Sequence, residues 1–227
     1  EHLQKAAAAA GFSRVFMQYE PVAAALDYEL RLPRPQNVLA FDFGGGTLDV
    51  TVMRLGGGIE PVILSLDGEP IGGDNLDFRI MQGKLLKYFG LGVTLGPQRR
   101  EFPRHILDRI TRWQTIRDLN NPQTMEFLRD AEVSGSNPRA IRALRTLINN
   151  ELSLALYEAI ERAKIDLSTA EEARIRMFNR DIAINERITR LEFERLIVAE
   201  LQAIGVCVDR AMAASGLRPE QIDVVLR

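Results

Sequence analysis

The chain has 227 residues, 46% of them hydrophobic and 26% charged, with a formal net charge of −2. That length suits one to two domains with a buried core, and the near-neutral balance lacks the basic excess that nucleic-acid binding leans on. One cysteine, Cys207, excludes an internal disulfide framework; with only His2 and His105 beside it a zinc site is not expected, and no apolar run approaches the ~18 residues that span a bilayer.

In chain order, KAAAAAG (residues 5–11) reads as a helix end stopped by Gly11. SRVFMQ follows as a short strand. Glu20-Pro21 then opens a helix over VAAALDYEL, since proline suits a first turn. The start has neither an initiator Met nor the regions of a signal peptide. The end, IDVVLR, reads as a strand cut at its exit, so a piece of a longer protein is expected. After the loop LPRPQ come NVLAFDF, TLDVTVMRL and IEPVILSLD. These β-rich runs, split by glycine turns, predict a three-strand meander. Its expected core is Val38, Leu39, Phe41, Val50, Val52, Val62 and Leu64.

IGGDNLDFRIMQGKLLKYFG opens on Gly-Gly-Asp and becomes a helix. Residues 90–137 read as loops and helices punctuated by Pro97, Pro103, Pro122 and Pro138. One long amphipathic helix is expected from Pro138 to about Leu167, and ARIRMF suits a strand. ITRLEFERLIVAELQAIGVCVDRAMAASG reads as a final helix with a Thr189/Glu192 capping box and Gly216 as its stop. Cys207, inside it, is expected to be a small core residue. Strands, then helices, then a last strand fit an α/β layer carrying an insertion from about residue 72 to 187.

Two glycine runs need separate explanations. RLGGGIE (54–60) has no chemically useful neighbours and reads as a hairpin turn using glycine for positive φ. FDFGGGTLDV (41–50) sets Asp42 between two phenylalanines, repeats a carboxylate at Asp49 and adds the Thr47 hydroxyl. Glycines let backbone N–H groups approach a phosphate, and an aspartate at a strand end suits a hydrated Mg²⁺. The alternative is a second hairpin turn with Asp42 on the solvated face.

FDFGGGTLDV resembles the second phosphate motif of the DnaK-type heat-shock chaperone ATPases. QYEPVAAAL, IGGDNLD, ERAKIDLS and ITRLEFERL resemble four further motifs of that family, in the family's order. The resemblance implies one lobe of the actin-like (ribonuclease H-like) ATPase fold: an α/β base over 1–71 and 188–227, and an inserted, mainly helical α+β subdomain over 72–187. It implies ATP or ADP with Mg²⁺ as ligand and a cytoplasmic, monomeric fragment that does not turn over ATP alone. Hydrolysis and cleft closure would belong to the complete protein.

Carried over by motif, Asp42 would hold Mg²⁺ through water, with Asp49 near its water shell. Gly44, Gly45 and Thr47 would contact the terminal phosphates. Glu20 would join the water and metal network, with Pro21 beside it, and Gly73 would lie near the phosphates. Glu161, Lys164 and Ser168 would hold the ribose and adenine. Their offsets place the three on one helix face, although a solvated Glu–Lys face is the ordinary reading of such a stretch. Ile165 stands where many members carry an arginine that stacks on adenine, and it cannot supply that cation–π contact. The region between Gly73 and Glu161 is longer than in ordinary members. It includes the basic, Trp113-bearing run 97–117, which reads as an exposed basic helix or as a surface for a co-chaperone or exchange factor. An actin-like scaffold protein and a kinase of the same fold remain alternatives.

Overall fold

A computed structural model describes residues 2–16, Glu20, Ala23, Tyr28 and 32–227. The chain divides into two compact units, Glu1–Pro70 with Ile204–Arg227, and Ile71–Ala203.

In the first unit, helix α1 (His2–Ala9) is followed by Gly11 at φ 92°. Strands β1 (Gln36–Phe43), β2 (Leu48–Leu55) and β3 (Val62–Glu69) form the expected antiparallel meander. The C-terminal strand β8 (Val224–Leu226) joins β1 in parallel, giving the order β3-β2-β1-β8. Alternating residues bury opposite faces. Val38, Ala40, Met53 and Leu55 pack on one side; Leu39, Leu48, Val50 and Val52 pack on the other with Cys207 and Ala211. The buried Ser65 hydroxyl donates to the Ala211 carbonyl at 2.7 Å. Cys207 is a core residue, as expected, and burial pushes its thiol pKa up.

Three expectations need revision in this unit. Val62 is 49% exposed, because the register shift at Val52/Met53 pairs it with the exposed Arg54 on the edge strand. Phe41 and Leu64 are only partly buried. Ser13–Phe16 is bend and irregular backbone rather than strand. Met17, Gln18, Pro21, Val22 and most of the VAAALDYEL helix lie outside the described residues.

In the second unit, α2 (Gly73–Ile80) runs on through a π turn (Met81–Leu85) and a 3-10 turn (Leu86–Phe89). Gly90, at φ 115°, stops it. The short hairpin β4/β5 (Thr94–Leu95, Arg100–Glu101) leads to α3 (Arg104–Ile110), α4 (Trp113–Ile116) and α5 (Pro122–Ser134). The expected long helix is two helices, α6 (Pro138–Asn149) and α7 (Ser153–Leu167). Glu151 breaks it at φ 52°, a conformation costly for a residue with a Cβ, after two asparagines that favour helix ends. β6 (Glu172–Phe178) has an unforeseen antiparallel partner, β7 (Ala183–Thr189).

Thr189 and Glu192 form the expected reciprocal cap at the start of α8 (Arg190–Leu196). A break at Ile197 separates α8 from α9 (Val198–Ser215), so the expected final helix is also two. Gly216, at φ 71°, follows α9. Residues 188–203 fall in the second unit and not in the base assigned to them from sequence. Thr189 still pairs with Glu172, and the Lys84–Glu192 (3.1 Å) and Arg79–Glu200 (2.7 Å) ion pairs fasten α8 and early α9 to the α2 region. Among the described residues no helix is long and apolar enough to cross a membrane.

Candidate functional site

The two glycine turns differ in what they require of glycine. At the β2–β3 turn Gly56, Gly57 and Gly58 have φ of 95°, 64° and 73°. A Cβ on Gly56 would lie 2.6 Å from Leu32 Cβ, and one on Gly57 would lie 2.6 Å from Pro35 Cδ. Conformation and packing explain these glycines completely. At the β1–β2 turn none of Gly44, Gly45 or Gly46 is in the left-handed region. A Cβ on Gly45 or Gly46 would meet no atom within 4 Å, and one on Gly44 would only touch the Thr47 carbonyl at 3.6 Å. Neither left-handed strain nor packing calls for glycine here, and the backbone of the turn is open to the outside.

The Gly44 N–H donates to the Thr47 carbonyl at 2.9 Å and closes the turn. Among the described residues the amides of Gly45, Gly46 and Thr47 and the Thr47 hydroxyl have no hydrogen-bond partner, and all are exposed. Successive unpaired N–H groups on an exposed turn suit an anion.

Asp42 and Asp49 stand directly opposite each other across the β1–β2 ladder. Facing like charges weaken a strand pair. Among the described residues neither carboxylate has an ion-pair or hydrogen-bond partner. Gly68 faces Asp49 from β3, where a Cβ would lie 3.1 Å from Asp49 Oδ1, so glycine makes room for that carboxylate. Among the described residues no group of three or more His, Cys, Asp or Glu side chains forms a metal site. Two unpartnered carboxylates beside a turn with free amides are the residue types that suit a hydrated Mg²⁺. Asp42 is exposed, as the solvated-face alternative had it, and that position is compatible with a metal held through water.

In the second unit Gly72 precedes α2, and its N–H donates to Asn75 Oδ1 at 3.0 Å. Gly73, the first residue of α2, offers its carbonyl to Lys164 Nζ at 3.4 Å. Lys164 also lies 2.6 Å from Asp77 Oδ1. That oxygen is buried, and the lysine is the cation that faces it. Burial raises the Asp77 carboxyl pKa, and hydrogen bonding to Lys164, then its charge, offset this only in part. Glu161 and Ser168 are exposed, Glu161 on α7 and Ser168 at its C-cap, each a turn from Lys164. Ile165 is 63% exposed. Lys164 and Ser168 line a cavity of about 690 Å³ together with Arg190, Phe193 and Val198. Arg190 donates to the carbonyls of Leu167 (3.0 Å) and Ala170 (3.1 Å), a cation placed at the negative end of α7.

Sequence reading missed Asp77, Arg190 and Gly68. Asp77 lies within the quoted IGGDNLD motif, but nothing in the motif points to a lysine so distant in sequence. The alternation in AINERIT signals β7, which brings Arg190 to its place. Glu20 is helical and exposed, and Pro21 lies outside the described residues. In the basic run Trp113 is 46% exposed, so it is only half packed.

The sequence matches the family described as "Hsp70 protein" over residues 1–90 and 144–226. It is 29% identical over 215 residues to "Chaperone protein DnaK" of Thermus thermophilus, covering 91% of this chain and 27% of that protein. It is 27% identical over 234 residues to "Chaperone protein DnaK" of Deinococcus deserti, covering 100% of this chain and 29% of that protein. The chain thus spans between a quarter and a third of the length of these relatives.

Proposed function

The chain belongs to the Hsp70 family, and on that premise we propose that it is the second-lobe part of a DnaK-like chaperone ATPase that binds ATP or ADP with Mg²⁺. The glycine turn carries this reading: Gly44, Gly45 and Gly46 have no conformational or packing reason to be glycine. In the proposal the free amides of the turn and the Thr47 hydroxyl take the terminal phosphates. Asp42 orders the water shell of Mg²⁺, and Asp49 lies beside that shell. Bound Mg²⁺ offsets phosphate charge. Glu20 supports the water network, and Gly73 approaches the phosphates. Glu161, Lys164 and Ser168 hold the ribose and adenine.

Ile165 offers an exposed aliphatic surface to the base, where an arginine would add a cation–π contact. Hydrolysis belongs to the complete, cytoplasmic protein, and it rests on positioning and electrostatics. Nucleotide-driven opening and closing would follow from hinge motion. The experiment is calorimetric titration of MgADP into the full-length protein. Asp42→Ala is expected to weaken binding and Ile165→Arg to tighten it. No binding to any form would make the turn a relic of the fold.

We also infer that the basic run 97–117 docks a co-chaperone or exchange factor. The half-exposed Trp113 supports this, as does the contact of α4 with α2. Gln114 Nε2 donates to Asp74 Oδ2 at 2.9 Å, and the Arg112 guanidinium sits 5.3 Å from the Phe78 ring centroid. A partner gripping α4 would act on the helix that begins at Gly73. A purified exchange factor is expected to protect residues 97–117 from limited proteolysis; unchanged cleavage contradicts the assignment.

A further inference from the structure

A second cavity in the Ile71–Ala203 unit, of about 560 Å³, is lined by residues of the Leu86–Phe89 turn, the start of α6 and the β6–β7 turn. That volume lies within the range of roughly 300–1,000 Å³ usual for small-molecule sites. Lys87, Arg139, Arg142 and Arg180 line it, against one acid, Asp181. Asp181 already accepts the Thr146 hydroxyl at 3.0 Å. Lys87 pairs with Glu186 at 2.8 Å, and Arg142 with Glu132 at 2.5 Å. Among the described residues Arg139 and Arg180 have no ion-pair or hydrogen-bond partner, and both are exposed. The remaining lining includes the buried apolar residues Ala140, Ala143, Ile182 and Ile184.

A concave surface with an excess of one sign over an apolar floor concentrates its field and draws counter-charge. Guanidinium forks match phosphate and carboxylate groups in geometry as well as charge. Asn137, Arg139 and Arg142 fall between residues 90 and 144, the stretch that the Hsp70 match leaves out.

We propose that this cavity binds a small organic anion with at least two negatively charged groups, phosphate or carboxylate, held by Arg139 and Arg180 with its carbon skeleton on the apolar floor. The site is independent of the proposed nucleotide residues. The probes are pyrophosphate and citrate, each titrated calorimetrically into the full-length protein at low salt. The titrations are repeated with Gly45→Ala, which weakens any binding at the phosphate turn and leaves the cavity untouched, and with Arg139→Ala/Arg180→Ala in the same background. Thermal midpoints check folding, and both arginines are exposed side chains without a hydrogen bond or ion pair among the described residues.

At least one probe is expected to bind. Its affinity should fall about tenfold for each guanidinium removed, the size of one charge-assisted hydrogen bond. Binding of pyrophosphate alone assigns a phosphate ligand, and binding of citrate alone a carboxylate. Failure of both probes to bind in the millimolar range overturns the proposal. So does binding that survives the double arginine substitution, or that weakens about tenfold with Gly45→Ala alone.

Discussion

Replacing Lys164 with methionine should cost far more stability than replacing its partner Asp77 with asparagine. The two side chains are 16% and 12% exposed, and Lys164 Nζ is 2.6 Å from Asp77 Oδ1. Lys164→Met keeps the aliphatic stem but strands a desolvated carboxylate that feels the negative charges of Asp74 and Glu161. Breaking a fully buried pair this way costs about 3–5 kcal/mol; with the residual exposure here, about 2–3 kcal/mol is expected. Asp77→Asn removes the stranded charge and leaves Lys164 within reach of the Gly73 carbonyl, so about 1 kcal/mol is expected.

The pH dependence has a definite sign. Burial raises the Asp77 carboxyl pKa in the folded protein, and losing Lys164 raises it further. A carboxyl raised on folding destabilises above its folded pKa and ceases to do so as pH falls toward the unfolded value of about 3.9. The Lys164→Met penalty should therefore shrink as pH falls from neutral toward that unfolded value, while the Asp77→Asn penalty should not shrink, because only the wild type it is compared with loses an ionisation cost. Urea unfolding without nucleotide reads both. Equal costs for the two substitutions, with a Lys164→Met penalty that does not change with pH, would show that Asp77 carries no stranded charge.

Gly45→Ala should leave the unfolding free energy within about 0.5 kcal/mol of wild type. Gly57→Ala should cost more than about 1 kcal/mol, because that residue combines φ 64° with a 2.6 Å approach to Pro35. Acid should weaken the second unit. The Thr189 amide, then Lys84 and the Thr189 hydroxyl, hold the Glu192 carboxyl down at about 2. Around Glu132 burial opposes ionisation, yet Arg142 and Arg145 outweigh it and lower its pKa. The stability both groups give is present above their unfolded values and is lost as pH falls through the folded ones, so circular dichroism should show unfolding below about pH 4.5. Glu192→Gln should soften that acid dependence and cost about 1 kcal/mol at neutral pH. Tyr157→Phe strips the hydroxyl that donates to the buried Ile110 carbonyl at 3.1 Å, and should lower stability by about 1 kcal/mol in the same urea assay.

The meander, the glycine turns, the Thr189 cap and the closing strand were legible because each is encoded within a few residues. Alternation sets a strand's faces, and a cap needs only its own first turn. Elements decided by tertiary context were not. Periodicity runs unbroken across Asn149–Leu152 and hides the left-handed Glu151, and a register shift turns Val62 outward. Motif resemblance pointed to Lys164, but its pairing with Asp77 joins positions that only the packing of α2 against α7 brings together. Gly68 shows the same limit, since its lack of a side chain has meaning only beside Asp49.

The most direct test titrates MgADP into full-length wild-type and Gly45→Ala protein, with thermal midpoints measured alongside. Glycine at position 45 is free of backbone and packing demands, so an added methyl group should matter only to a ligand that approaches the turn. The account predicts an unchanged midpoint and affinity at least about tenfold weaker, the loss of roughly one phosphate hydrogen bond. Equal affinity for the two proteins would contradict it and return FDFGGGTLDV to the status of an ordinary hairpin.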